Sequence, residues 1–177
     1  MRRQLIFFDG LETVAKGYGR LLDALLKTVN ALGAEEIHVM GNSAGGFSAL
    51  RYATDLHAKT FLGTSIRSDL SADSSLPIGN FFRSPTLDAF PQMKIDLKPL
   101  LAYNAWPERI MLFCGEDNPV DLPHAMHLAD LPNVEITTLA GYAYHDVISG
   151  LLGRGMFEDV LRRFIDPGPI EKSIRRV

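Results

Sequence analysis

Ser43, His145 and a carboxylate at Asp117 or Asp121 are the side chains of this sequence whose types and order suit nucleophilic catalysis. A serine hydroxyl is a weak nucleophile until a neighbouring imidazole takes its proton. The imidazole in turn needs a carboxylate that fixes its tautomer and stabilises its protonated form. Each of the three follows a predicted strand, and loops at the carboxyl ends of parallel strands gather at one edge of a sheet. The sequence therefore predicts a hydroxyl-activating site at that edge.

The serine lies at the centre of residues 41–45, which read GNSAG and fit the pattern G-x-S-x-G. Residues 37–40 before it predict a buried strand, and residues 46–53 after it predict a helix. The chain must turn sharply at Ser43, and glycine at positions 41 and 45 avoids a clash there. The pentapeptide also occurs by chance in glycine-rich turns, so the strand before it and the helix after it carry the interpretation. A hydroxyl at a helix N-terminus lies where backbone N–H groups stabilise an oxyanion.

Alternating strands and helices indicate the fold class. Apolar runs predict strands at 4–8, 37–40, 59–64, 109–114 and 134–139, and helical periodicity predicts helices at 14–32, 46–53, 97–104, 123–128 and 157–165. Runs without polar alternation indicate strands buried on both faces, as in a parallel sheet. We therefore predict an α/β three-layer sandwich with a mainly parallel sheet, formed by one domain of residues 1–177. The turn-forming residues of 67–93 predict either a surface connection or a short cap or lid.

His145 differs from the other histidines in its position, because it follows the last predicted strand after a glycine. The other four lie within a strand, at a helix end or on a helix face expected to be wet (His38, His57, His124 and His127). Asp146 is expected to cap the next turn instead of pairing with its neighbour, since adjacent side chains point apart.

The sequence resembles the α/β-hydrolase superfamily over about residues 36–165. GNSAGG matches the nucleophile elbow of that superfamily, FCGEDNPVD its acid loop and AGYAYHDV its histidine loop, in its order serine, acid, histidine. The longer string GNSAGGFSALRYA, with D-x-x-H-A-x-x-L at 121–128, is similar to a poorly characterised bacterial branch with G-S-S-x-G-G elbows. The resemblance implies a bacterial serine hydrolase and specifies no substrate.

Two carboxylates compete for the role of the acid. Asp117 directly follows the strand at 109–114, as the general hydrolase pattern expects, whereas Asp121 is the residue that the bacterial branch suggests. Strict G-x-x-D spacing from Gly115 falls on Asn118, so the loop is shifted relative to the pattern. We expect Asp117 to be the acid, with Asp121 as the close alternative.

The resemblance also implies an oxyanion hole. One donor would be the N–H of Ala44, and the second would come from the loop after an earlier strand, here Gly10 or Leu11. A single strand is predicted before the elbow strand, where fuller members have several. We therefore expect a shortened fold that lacks some N-terminal strands: a minimal hydrolase, a piece of a larger protein, or a chain whose exposed sheet edge forms a homodimer.

These features favour a serine esterase or related acyl hydrolase that acts on a small-molecule acyl substrate through an acyl-enzyme. Asn42, Phe81, Phe82 and Tyr144 are expected to contact the substrate, although such aromatic residues also serve as packing. Two alternatives stay open. One is a hydrolase-like binding module with weak or no turnover, and the other is an acyltransferase that uses the same residues.

Composition argues against several other classes. The 177 residues carry a net charge of −3 with acids and bases mixed, which offers no basic face to nucleic acid. The N-terminal apolar run of 5–8 is too short for a signal peptide or a membrane span, so we expect a cytoplasmic protein without a membrane partner. No motif for a metal or another cofactor appears, and Cys114 lies in a strand, where a buried thiol is expected.

Overall fold

The computed structural model describes residues 10–11, 15–77, 95–166, 168 and 174–177. The predicted strand at 4–8 and most of the predicted cap lie outside these residues. The helices are Tyr18–Leu32 (α1), Ser43–Asp55 (α2), Leu97–Ala102 (α3), Asp121–His127 (α4), Val147–Gly153 (α5) and Phe157–Ile165 (α6). The strands are Gly10–Leu11 (β1), Ala15–Lys16 (β2), His38–Asn42 (β3), Thr60–Thr64 (β4), Arg109–Gly115 (β5), Val134–Leu139 (β6) and Ile174–Arg176 (β7). In the described ranges, no helix has the length and apolarity needed to cross a membrane.

Five strands form one parallel sheet in the order β3-β4-β5-β6-β7. The three central strands are buried along their whole length, which explains why their sequences are apolar or threonine-rich without polar alternation. The elbow strand β3 is the outermost strand at one side of the described sheet. The predicted fold class, a shortened α/β sandwich with a parallel sheet, is confirmed.

Successive strand residues point to opposite faces and create two cores. Phe61, Ile110 and Leu112 pack with α2, α3 and α4 on one face. Leu62 and Met111 pack with α5 and α6 on the other face. The sheet is therefore the middle of three layers.

The amphipathic pattern before the elbow forms α1, which packs on α2 through a smaller cluster of Leu21, Tyr52 and Leu56. The helix ends at Gly33, whose φ of 60° lies in the left-handed region that glycine adopts at low cost. Before α1, the short strands β1 and β2 pair with each other in antiparallel fashion, separately from the main sheet.

The C-terminal segment contains a strand that the sequence pattern does not predict. Residues Ile174–Arg176 form β7 and pair in parallel with β6. Arg176 also forms an ion pair of 2.7 Å with Glu116, at the carboxyl end of the sheet. Charged side chains suit an outer strand because its exposed groups remain in water.

The strands β3, β4, β5 and β6 all end at the same edge of the sheet. The segments that follow them are, in turn, the start of α2, residues 65–70, the acid loop (residues 116–120) and the histidine loop (residues 140–146). Parallel pairing in register brings these four segments side by side.

Candidate active site

Ser43 lies at the turn between β3 and α2, as the glycine pattern predicts. Its φ is 53°, a left-handed conformation that is costly for a residue with a side chain. A Cβ atom on Gly41 would lie 2.7 Å from both Ala49 Cβ and Gly46 Cα, so strand and helix approach too closely for a larger residue. The strained turn presents the Ser43 hydroxyl beside the N-terminus of a 13-residue helix.

The imidazole of His145 reaches this hydroxyl from the histidine loop. The Ser43 Oγ atom lies 2.5 Å from Nε2 of His145. The Ser65 hydroxyl donates a 2.7 Å hydrogen bond to the backbone carbonyl of His145, which ties the histidine loop to the segment after β4. The His145 side chain is 46% exposed, so a reacting group from solvent has access to this pair.

The other ring nitrogen of His145 contacts Asp121. Nδ1 lies 2.8 Å from Oδ2 and 3.0 Å from Oδ1 of the Asp121 carboxylate, whose side chain is fully buried. Asp117 is exposed on the acid loop, where its backbone N–H donates to the Tyr142 carbonyl. The preference for Asp117 as the partner of His145 is therefore corrected: the structure places Asp121 there.

Asn118 explains why the carboxylate is displaced along the sequence. Its Oδ1 accepts hydrogen bonds from the N–H groups of Val120 (3.0 Å) and Asp121 (2.9 Å), so it orders the start of α4. Its amide also donates to the Ala143 carbonyl, 3.1 Å away, and links the acid loop to the histidine loop. The position that strict spacing assigns to the acid thus holds an amide that shapes the loop, and the acid follows three residues later, at the first residue of α4.

Arg67 is a part of this site that sequence reasoning missed. Its Nη1 donates a 2.7 Å hydrogen bond to Asp121 Oδ1, and the residue is only 7% exposed. The sequence signal was a lone arginine shortly after a buried strand that ends at the same edge as the acid loop. The arginine also opens the stretch 67–93, whose turn-forming residues predict either a surface connection or a short cap or lid.

The charge on Asp121 is maintained by these contacts. Burial raises the pKa of the Asp121 carboxyl, but hydrogen bonds from His145 and Arg67 outweigh this effect and leave the pKa below its ordinary value. A carboxylate only accepts hydrogen bonds, so Nδ1 of His145 is the donor. In the neutral ring, Nε2 is then the acceptor that faces the Ser43 hydroxyl.

Two neighbouring groups play a different part. Burial lowers the pKa of His124 to about 4, so its fully buried ring is neutral near pH 7. This contradicts the expectation of a wet helix face, because Ser68 and Pro77 enclose the ring. Burial also raises the pKa of the Cys114 thiol to about 12, and the predicted buried strand thiol is confirmed.

The remaining predicted site residues are placed less completely. Ala44 follows Ser43 in α2, and Gly10 and Leu11 form β1, so their roles as oxyanion donors stay predictions. Asn42 is exposed beside the elbow and accepts a 2.8 Å hydrogen bond from Thr64. Tyr144 is 73% exposed next to His145, and Asp146 caps α5 through the Ser149 N–H, as predicted. Phe81 and Phe82 lie outside the described residues.

An apolar cavity of about 640 Å³ lies near the elbow, between α1, β3 and α2. Leu21, Leu25, Val29, Ile37 and Ala49 are among the side chains that line it. Ser43, His145 and Asp121 are not in its lining, so the hydrogen-bonded site lies outside this cavity.

Asp69, Asp96 and His127 are a second group of potential ligand atoms, all within 4.8 Å of one another. Asp69 accepts a hydrogen bond from the Ser71 N–H, and Asp96 accepts one from the Lys98 N–H as the N-cap of α3, both at 2.8 Å. His127 Nε2 lies 2.9 Å from Asp96 Oδ1. Hydrogen bonds within the chain thus account for the positions of these groups.

Comparison with known proteins places the fold. No protein-family model matches the chain, and no curated protein matches it. Among solved structures, the chain is similar to a hydrolase from Pseudomonas aeruginosa, with 16% sequence identity and a TM-score of 0.53. The similarity covers 83% of this chain and 71% of that one. At this level of identity the likeness shows a shared fold, so the chain shares the α/β fold of that protein.

Proposed function

We propose that this protein is a serine hydrolase that cleaves acyl esters through a covalent acyl-enzyme. The observation that carries the proposal is the unbroken series of hydrogen bonds from Asp121 through His145 to Ser43, with distances of 2.8 Å and 2.5 Å. A fold shared with the P. aeruginosa hydrolase agrees with it. The exposed imidazole and the strained serine are the features expected of a nucleophile that meets substrates from solvent.

The geometry suits a two-step acyl transfer to water. Ser43 Oγ attacks the ester carbonyl carbon while its proton passes to Nε2 of His145. The tetrahedral intermediate collapses, the bond to the leaving alcohol breaks, and His145 gives that alcohol the proton. A water molecule then attacks the acyl carbon while His145 takes its proton. The bond between the acyl carbon and Ser43 Oγ breaks, His145 returns the proton to Oγ, and the acid leaves. Asp121 stabilises the imidazolium in both steps.

The backbone supplies the groups that would stabilise the oxyanion. The N–H of Ala44 belongs to the first turn of α2, where unpaired amides and the helix dipole favour negative charge. We assign the second donor to the N–H of Gly10 or Leu11. We also propose that Asn42 and Tyr144, both exposed beside the elbow or the imidazole, contact a small-molecule acyl substrate.

The test is hydrolysis of p-nitrophenyl acetate and p-nitrophenyl butyrate by the wild type and by the variants Ser43→Ala and His145→Ala. Each variant should lose about 10⁴-fold or more in kcat/KM because the nucleophile or its base is gone. Ser48→Ala is a matched control on the same helix, since the Ser48 hydroxyl is buried and has no hydrogen-bond partner within the described part of the chain. It should keep the wild-type rate.

A Ser43→Ala variant that hydrolyses these esters as fast as the wild type would refute the proposal. A folded wild type that hydrolyses neither ester and is not modified by a serine-directed fluorophosphonate would instead indicate a binding module. Transfer of the acyl group to added glycerol in place of water would indicate an acyltransferase with the same site.

A further inference from the structure

Arg67 contacts the Asp121 carboxylate, on which the proposed mechanism depends, from a buried position. Its side chain is 8% exposed, and Nη1 lies 2.7 Å from Asp121 Oδ1. Its Nε atom is buried and has no hydrogen-bond partner in the described residues. A buried guanidinium with an unpaired Nε is costly to retain unless its contact with a carboxylate offsets that cost.

We propose that Arg67 is a positioning residue that orients the Asp121 carboxylate toward His145 and limits how strongly the Asp121 and His145 pair binds a proton. This inference rests on the proposed function. It concerns a residue on the segment after β4, outside the serine, histidine and acid loops.

The orientation follows from how the two carboxylate oxygens are used. Arg67 binds Oδ1, and the shorter of the two contacts with His145 Nδ1 is made by Oδ2. The backbone N–H of Asp121 is held separately by Asn118, which fixes the start of the side chain. Arg67 thus restricts rotation of the carboxylate plane, and the plane restricts the imidazole ring that faces Ser43.

The charge effect depends on every group near the pair. Among the described residues, the titratable and charged groups involved include Arg67 after β4, Cys114 on β5, His124 on α4, Asp146 beside His145, and Asp69 and His127 near His124. Cys114 and His124 are neutral near pH 7, because burial raises the pKa of the first and lowers the pKa of the second. Apart from His145 itself, Arg67 is therefore the cation in contact with Asp121 among the described residues.

Removal of Arg67 should make the pair bind its proton more readily. In the variant, the proton loses a positively charged neighbour whether it resides on the imidazole or on the carboxyl. The affinity of the coupled pair for the proton therefore rises in either case. An opposite charge at this distance shifts a titration by about one to three pH units. The protonated pair cannot act as a base, so the activity of the variant should fail at a higher pH than that of the wild type.

The experiment measures the rate of Ser43 modification by a fluorophosphonate as a function of pH in the wild type, Arg67→Met, Arg67→Gln and Arg67→Lys. We expect the midpoint of the acidic limb to rise by about one pH unit or more in Arg67→Met and Arg67→Gln, and to stay near that of the wild type in Arg67→Lys. The limiting rate at high pH should fall by about 10-fold to 100-fold in Arg67→Met, since the carboxylate is no longer held.

Arg109→Met is a matched control for the loss of a buried arginine. Arg109 is 4% exposed and donates a 2.8 Å hydrogen bond to Glu135, at the opposite end of the sheet. This variant should lose stability while it retains the wild-type pH midpoint. Folded Arg67→Met with an unchanged midpoint and limiting rate would overturn the proposal, and if that variant does not fold, an unchanged midpoint in Arg67→Gln would do so.

Failure of the proposed function would look different. If the wild type is not modified at all, the serine hydrolase proposal fails, and NMR titration of the His145 ring protons still decides the role of Arg67. A higher midpoint in Arg67→Met than in the wild type supports the proposal. Equal midpoints overturn it.

Discussion

Asp121 and Asp117 lie four residues apart, and their surroundings predict opposite effects of the same substitution. Asp121→Asn replaces a buried carboxylate between His145 and Arg67 with an amide, which cannot fix the same tautomer of the ring. We expect kcat to fall about 10⁴-fold in this variant, as measured by ester hydrolysis. Asp117→Asn changes an exposed side chain and should leave kcat within about twofold of the wild type.

The same two variants test whether Asp121 and not Asp117 is the partner of His145. If Asp117→Asn shows the larger loss, the acid loop has a different arrangement during catalysis. Equal and small losses in both variants would mean that the imidazole needs neither carboxylate.

At the scale of elements, the close contact between α2 and the segment after β4 supports the elbow. A Cβ atom on Gly46 would lie 2.3 Å from Cγ2 of Ile66, a buried and β-branched side chain that has little freedom to move. Gly46→Ala should therefore push the helix away and reduce the free energy of unfolding by about 1 to 3 kcal/mol, as measured by urea denaturation. Ester hydrolysis should fall with it, because Ser43 moves with the helix.

Gly153→Ala is the control for this substitution, because a Cβ atom at the end of α5 meets nothing within 4 Å. It should leave the free energy of unfolding unchanged or slightly higher. Equal destabilisation by both substitutions would contradict this explanation, because alanine favours a helix more than glycine does and Gly153 has no contact to lose.

The elements and the residues of the site differ in how far the sequence predicts them. Ser43 and His145 were predictable because each has a local signal, a glycine-flanked turn in one case and a position after the last central strand in the other. Asp121 was harder to predict than these two residues. Its selection in place of Asp117 depends on hydrogen bonds from the start of α4 to Asn118, which the spacing of residues in the sequence does not reveal. Arg67 has no local pattern, since its partner lies 54 residues away. The short strand β7 likewise depends on distant pairing with β6.

At the scale of the whole molecule, the stability should depend on pH through His124. The buried ring has a pKa of about 4 in the folded protein, against about 6.5 when exposed, so the unfolded chain binds the proton more readily. This difference in pKa contributes about 3 kcal/mol to the free energy of unfolding. The contribution is complete above pH 6.5 and is lost as the pH falls toward 4. Denaturant titrations should show a decline over this range that is steeper in the wild type than in His124→Asn.

His57→Asn serves as the control, because His57 is exposed and asparagine tolerates its φ of 54°. This variant should retain the wild-type decline. An equally steep decline in His124→Asn would show that other groups cause the pH dependence.

One edge of the described sheet is the surface on which the predicted homodimer depends. The elbow strand β3 is the outer described strand at one side, and Met40 on it is 40% exposed. The expected homodimer through this edge stays a prediction, as do the cytoplasmic location and the cap at 67–93. None of them is needed for the proposed chemistry, which depends on groups within one chain.

The central claim is that Ser43 is a nucleophile activated by His145. The most direct measurement is mass spectrometry of peptides after the folded protein reacts with a serine-directed fluorophosphonate. We expect one adduct, on the peptide that contains Ser43, which is absent in His145→Ala and present at the wild-type rate in Ser48→Ala. A folded wild type without an adduct, or with an adduct on another residue, would contradict the account.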